Sequence, residues 1–420
     1  MTDWQPPAEP HQPLPHLAFW QAASKAAEGS TDYEILTSGL LVLRILDRWR
    51  FRAKTSRDVT FQEFVHVKRK AESLPESPIR QVLADLINTI SDYAYGTADS
   101  RVAKLLDFAR LLEESAYWEP AADVYATVIE IIASRPEDRD RLPRCYERQA
   151  YCLRQVGEIE KAEELLLDGI EIANDLNDVY GSLYMRIASA VIELQKGDLP
   201  EAEFELDTII DDAEKENEPH LLALAIHERG AVAYERNQYE KAVAFFHTAA
   251  QKHVQPHMVR RALTDLALAL GELGHQKHAL RVFRAVRRAP ETEAEPRAIA
   301  GLNLMHAAIF ANDQAGFDRL RGELDQEQMS GRLQAHYWLF VGEGFHHFGD
   351  AVAARTAFEQ AIAMARQFKV YKLLTEAQAM LSATNDRPVP WREPKASPAL
   401  ATVFAEIEAE HGVFAGATAN

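Results

Sequence analysis

The sequence predicts an all-α chain: a right-handed superhelical solenoid of helix hairpins preceded by an N-terminal helical bundle. Two observations predict the repeats. One short pattern recurs along the central region: a helix, a Gly or Asn turn, an apolar or aromatic residue, two more residues, and an alanine. The turn positions fall at 116, 157, 197, 237, 274, 312 and 349, spaced by 41, 40, 40, 37, 38 and 37 residues. A period of that length marks a repeated supersecondary unit, and stacking such units buries faces that no single hairpin can cover. A third observation sets the bundle apart: residues 16 to 96 show helical periodicity without the repeat.

The best copies are Gly157-Glu158-Ile159-Glu160-Lys161-Ala162, Gly197-Asp198-Leu199-Pro200-Glu201-Ala202, Asn237-Gln238-Tyr239-Glu240-Lys241-Ala242 and Gly349-Asp350-Ala351-Val352-Ala353-Ala354. Weaker copies run from Gly274 to Ala279 and from Asn312 to Phe317, and a degenerate first copy runs from Ala116 through Trp118 to Ala121. Gly and Asn suit the left-handed residue that closes a helix. The alanine lets the second helix approach the first. Four positions later, Tyr125, Leu166, Leu206, Phe246, Phe283 or Phe358 fills the next gap. Seven residues before the turn, Ala109, Ala150, Ala190, Gly230, Ala267 or Gly342 leaves room in the first helix. The sixth unit departs from the pattern, with Phe317 in the alanine place, and irregular packing is expected there.

The flanks read differently. Residues 1–15 form a Pro-rich, disordered tail. Residues 16–99 form the helical bundle or cap, with helices expected at about Leu17 to Ala27, Asp32 to Phe51, Thr60 to Ser73 and Ser77 to Tyr95. Ser77 followed by Pro78 is an N-cap with a first-turn proline. The solenoid covers 100–383. A linker at 384–396 holds Pro388, Pro390 and Pro394, and a C-terminal helix and tail occupy 397–420. That helix places Leu400, Val403, Phe404 and Ile407 on one face, to cover the last repeat or to dock elsewhere.

The 420 residues carry a formal charge of -18, which argues against nonspecific nucleic-acid binding by the whole molecule. The most apolar run, Ile35 to Leu46, is too short to span a bilayer and contains Arg44. With no signal-type N-terminus, a cytoplasmic protein with no membrane contact is expected. Cys145 and Cys152 lie two turns apart on one helix, too far for a disulfide, and read as half-buried thiols.

These residues resemble the tetratricopeptide repeat (TPR) family in its long-period bacterial form. Trp338-Leu339-Phe340-Val341-Gly342 with Phe345, Gly349, Ala354, Phe358 and Ala361 follows the family pattern closely. Gly230, Tyr234, Tyr239, Ala242, Phe246, Ala249 and Pro256 form a second good match. The resemblance covers about residues 100 to 383 and departs in period, since TPR units usually have 34 residues. It implies that first helices line a concave groove where ligands bind. Counted from the small residue of each first helix, the groove-facing set is Arg110, Glu147, Tyr151, Arg154, Tyr184, His227, Tyr234, Arg261, Asp265, Asn303, His306, Glu343, His346 and His347. Tyr and Arg are enriched at interface hot spots, although such residues taken singly more often serve solvation or inter-repeat packing. Asn303, one turn from His306, has the donor and acceptor needed to clamp a peptide backbone.

Other features carry less. His306, His346 and His347 lack the spacing of a metal site. The stretch Arg44, Arg48, Arg50, Arg52, Lys54 and Arg57, interleaved with Trp49 and Phe51, reads as a helix end complementing an acidic solenoid rather than a nucleic-acid contact. Lys277, Arg281, Arg284, Arg287 and Arg288 read as a solvated helix face. Glu63 and Glu113 have no partner legible in sequence. No catalytic or cofactor motif is present. The sequence therefore predicts a non-enzymatic adaptor or scaffold that holds a protein or peptide in its groove. The alternative is a ligand-sensing regulator acting on a partner protein, which the bundle before a long-period array resembles.

Overall fold

A computed structural model of the chain describes residues 16–50, 57–91, 98–133, 135–289, 292, 294–327, 329–368, 370–382 and 397–409, and every regular element among them is helical. The Pro-rich tail, the 384–396 linker, the end beyond 409, and Arg52 and Lys54 of the basic stretch lie outside the described residues. The same holds for the side chains of Arg48, Arg50, Arg57 and Glu63. The chain divides into two compact units, 1–192 and 193–420.

The first unit holds α1 (Leu17–Lys25), α2 (Thr31–Arg50), α3 (Arg57–Ser73), α4 (Pro78–Ser91), α5 (Ala98–Glu114), α6 (Trp118–Ala133), α7 (Leu142–Gln155), α8 (Ile159–Asp175) and most of α9 (Val179–Lys196). The bundle helices begin within a few residues of the expected places, and α1 and α3 also end there; the expected ends at Phe51 and Tyr95 lie outside the described residues. One apolar core runs without a break from Phe19 in α1 to Cys152 in α7, so α1–α4 and the first repeats bury their faces against one another. His16 fixes the entry to α1. Its ring bridges Asp123 on α6 at 3.0 Å and Asp47 on α2 at 2.9 Å. Cys145 and Cys152 are fully buried rather than half-buried, and burial pushes both thiols up to about 12.

The second unit holds α10 (Leu199–Lys215), α11 (Pro219–Glu235), α12 (Tyr239–Lys252), α13 (Pro256–Glu272), α14 (Gln276–Arg288), α15 (Ala294–Phe310), α16 (Gln314–Leu324), α17 (Gly331–Phe348), α18 (Ala351–Gln367), α19 (Tyr371–Ser382) and α20 (Ala401–Ala409). Successive helices from α10 to α19 pack in chain order, and the first helices of neighbouring repeats from α11 to α19 also touch.

All seven expected turn positions adopt positive φ, from 53° to 92°. Each closes its helix with the same two bonds. At Gly157, for instance, the Gly157 N–H donates to the Arg154 carbonyl and the Glu158 N–H to the Leu153 carbonyl. This is the Schellman arrangement, which satisfies carbonyls left over at a helix end. The next residue often caps the following helix. Asp198, Asp313 and Asp350 accept from the backbone N–H three residues on, at 3.3, 2.9 and 3.0 Å. Each such cap stabilises its helix by about 1 kcal/mol.

The expected close contacts are present. Ala121, Ala162, Ala202, Ala242, Ala279 and Ala354 are buried, as are the larger residues four positions on. The sixth unit shows how its exception is absorbed. Phe317 is fully buried, and Gly344 on α17 makes room for it, since a Cβ there would overlap the Phe317 ring. Phe345 and Phe348 then pack against the same ring, with centroids 6.0 and 5.6 Å away. The C-terminal helix α20 docks away from the last repeat, on α12 and α14, and buries Leu400, Val403, Phe404 and Ile407. Phe404 stacks on His278 at 3.9 Å, and Glu406 and Glu408 meet His247 and His278 at 2.8 and 3.3 Å.

Two outcomes follow from this packing. Ala242→Phe and Ala354→Phe should each destabilise the fold by roughly 1–3 kcal/mol or more through overpacking; melting points within about 2 °C of the parent would contradict the repeat register. The second concerns His16. Burial lowers its basicity, but the hydrogen bonds to Asp123 and Asp47 and their charges outweigh this and push it up to about 9, from 6.5. The folded chain therefore holds this proton more tightly than the unfolded chain. That stabilisation is complete below pH 6.5 and is lost as pH rises through about 9. His16→Asn keeps the left-handed backbone accessible and should lower the melting point at pH 6 clearly more than at pH 10. A pH-independent difference would show that the Asp–His–Asp bridge carries no such charge.

Candidate functional site

The first helices of the repeats carry the candidate residues, and the structure sorts them into two groups, one in each unit. Schellman closure at a fixed distance from the small residue sets the phase of each helix, so equivalent positions face the same way.

In the first unit, Glu147, Tyr151, Arg154 and Tyr184 come together around two arginines that sequence reasoning did not select. Arg144 reaches Glu147 at 2.7 Å and lies over the Tyr184 ring at 5.6 Å. Arg148 lies over the Tyr151 ring at 4.5 Å, and Arg154 approaches the same ring at 5.4 Å. Trp118 from α6 meets Tyr151 edge-on at 5.9 Å. Glu147 is only 4% exposed, and burial raises it to about 7 against the pull of Arg144 and Arg154. Glu113, which had no partner legible in sequence, is buried and accepts from Tyr125 at 2.5 Å and from Arg148 through two guanidinium nitrogens. Arg110 stands apart, exposed and paired with Glu114 on its own helix.

In the second unit the candidates form a rail of pairs from one first helix to the next. His227 on α11 meets Asp265 on α13 at 2.8 Å, and Arg261 on α13 meets Glu228 on α11 at 3.0 Å. The Tyr234 hydroxyl reaches Glu272 at 3.4 Å. His306 on α15 lies flat on the Phe340 ring of α17, with centroids 4.1 Å apart, and pairs with Glu343 at 2.9 Å. His347 meets the Asn312 side chain at 3.0 Å. Asn303 donates its amide N–H to the Ile299 carbonyl at 2.9 Å, which leaves its side-chain oxygen to act as an acceptor.

Depth separates the candidates. His227 is 1% exposed, wedged edge-on against Phe246 at 5.4 Å and His253 at 6.2 Å. It and Glu147 are placed to brace neighbouring residues rather than to meet a ligand directly. Tyr151, Arg154, Tyr184, Tyr234, Asp265, Asn303, His306, Glu343, His346 and His347 are half-buried, while Arg110 and Arg261 are exposed. Among the described residues no His, Cys, Asp and Glu converge as a metal site would require. Nor is any helix among them long and apolar enough to cross a membrane.

The pairing partners Glu228, Glu272, Arg144 and Arg148 were missed, and a signal for one of them, Glu272, was available. His227–Asp265 and Tyr234–Glu272 are each separated by 38 residues, one repeat. A search for complementary polar residues one period apart would have found both.

No family model matches the sequence, and no curated protein matches it by sequence. Solved structures do match. The Rap conjugation gene regulator of the plasmid pLS20, in complex with a Phr peptide, aligns over 81% of this chain and 97% of its own, with TM-score 0.50 and 11% identity. NprR in complex with its cognate peptide NprX aligns over 78% of this chain and 98% of its own, with TM-score 0.50 and 13% identity. The fold is that of the TPR-like helical repeat proteins.

The Glu113–Arg148 pair gives a direct check on the first group. Arg148→Met leaves a buried carboxylate without its cation and should cost roughly 3 kcal/mol. Adding Glu113→Gln should recover much of that loss. Denaturation of the two single variants and the double variant measures the coupling, and strictly additive losses would show that the two groups do not act as a pair.

Proposed function

We propose that the chain is a protein- or peptide-binding repeat scaffold whose first-helix face in the second unit holds an extended peptide segment. The observation that carries this reading is the rail itself. Polar and aromatic side chains at Tyr234, Arg261, Asn303, His306 and Glu343 are half-exposed or exposed, and most are held by a partner on the neighbouring helix. A ligand meeting groups already fixed in place loses less side-chain freedom on binding. Asn303 has a side-chain oxygen that can accept from a backbone N–H, and Tyr234 and Arg261 are of the types that dominate interface energetics. Two proteins of the same fold were solved with peptides bound, the Rap regulator with a Phr peptide and NprR with NprX. The reading assigns the chain no reaction, and it places the protein in the cytoplasm.

A finer alternative is a peptide-responsive regulator. It is favoured by the unbroken core joining α1–α4 to the first repeats, which would pass a change in those repeats directly to the bundle. Hydrogen exchange separates the two: a regulator would show altered protection in α1–α4 on peptide binding, and a passive scaffold would not.

The scaffold reading is tested by Tyr234→Ala with Asn303→Ala. Against a peptide or protein partner recovered by affinity capture from the native host, the double variant should lose about 2 kcal/mol, near thirtyfold in affinity, with circular dichroism unchanged. Unchanged affinity would move the site off this face.

A further inference from the structure

The basic helix α14 does not behave as a solvated face throughout. The Arg287 side chain is only 13% exposed. Its guanidinium sits against Gly301 on α15, where a Cβ would overlap it. It donates to the Arg297 carbonyl at 3.1 Å and to Glu323 and Glu327 at 2.9 Å each. Arg287 thus ties α14 to α15 and to the C-terminal end of α16, and these bonds frame a cleft of about 730 Å³. Leu280, Leu304 and Leu320 line its apolar part. Arg284, Arg288 and Arg297 line it as exposed residues, and among the described residues no carboxylate pairs with them. The cleft opens on a different face of α15 from Asn303 and His306, so it is separate from the peptide face proposed above.

We propose that this cleft is a second binding site, for small amphiphilic anions: a carboxylate or phosphate head held by Arg284, Arg288 and Arg297, and an apolar body laid on Leu280, Leu304 and Leu320. The volume lies within the range of small-molecule sites, about 300–1,000 Å³, which combine apolar lining with a few placed polar groups. Guanidinium groups suit carboxylate and phosphate geometry. Charge decides between a compact anion and a polyanion. Asp313, Glu323 and Glu327 also line the cleft. They would repel a nucleic-acid backbone, while a single head group can sit at the three unpaired arginines. Such a site stands out in a chain of net charge -18.

The test is titration calorimetry on the full chain with decyl phosphate and decanoate, each below its micelle-forming concentration, with inorganic phosphate and decyltrimethylammonium as controls. Both amphiphilic anions should bind with one-to-one stoichiometry, inorganic phosphate at least about tenfold more weakly, and the ammonium compound not at all. Arg284→Ala, Arg288→Ala and Arg297→Ala combined should weaken binding at least about tenfold. So should Ala311→Trp, which places an indole in the cleft from an exposed position. All these arginines and Ala311 are exposed, so helicity should be unchanged in both variants. No binding of either anion at millimolar concentration would overturn the proposal, as would equal binding of the ammonium compound. A loss confined to one of the two variants would place the anion outside the cleft and overturn it as well.

Discussion

The structure depends on how closely the second helix of each repeat can approach the first. A single alanine at the crossing, buried in every unit but the sixth, sets that distance. Once it is set, the residue four positions on must fill the next gap, and the helix before must offer a small residue opposite. A hairpin built this way leaves one apolar side open, and only the next hairpin covers it. The sixth unit shows the constraint by its exception: a phenylalanine at the crossing is tolerated because the following repeat gives up a side chain at Gly344.

Close packing of the helices fixes the spacing of the first-helix face, and that spacing allows the polar rails. In the second unit His227 with Asp265, Arg261 with Glu228, and His306 with Glu343 join neighbouring helices at ordinary hydrogen-bond distances. Polar pairs of this kind contribute modestly to stability, because desolvation offsets much of their attraction. Their larger effect is geometric. They fix the orientation of side chains that would otherwise sample many rotamers, and a surface with preset polar groups is suited to recognising one partner over another.

How much of this was legible in sequence follows from the range of each interaction. The turn positions could be read because Schellman closure is local, requiring one residue tolerant of positive φ at a set place; even Ala116, with the least favourable residue type, obeys the period. The core positions could be read because they repeat. The Glu113–Arg148 pair spans 35 residues between different register positions, and nothing in the local pattern marks it. The bridge from His16 to Asp123 crosses 107 residues and the non-repeating bundle, so periodicity gave no guide. The depth of His227 was also hidden: a polar residue on a first helix reads as groove-facing, and only the position of Phe246 against it shows that it lies below the surface.

The docking of α20 changes the character of the second unit as a folding object. In a linear array every contact is short in sequence, and end repeats can fray while the middle stays folded. Here Glu406 reaches back 159 residues to His247, and Glu408 reaches back 130 to His278. The repeats between them lie inside a closed loop of chain. With both ends of the stretch held, an opened repeat gains less chain entropy than it would in a linear array, so this stretch should resist fraying. The clasp also introduces the high contact order that solenoids usually avoid, and closing it is expected to be a late step, after the repeats have stacked.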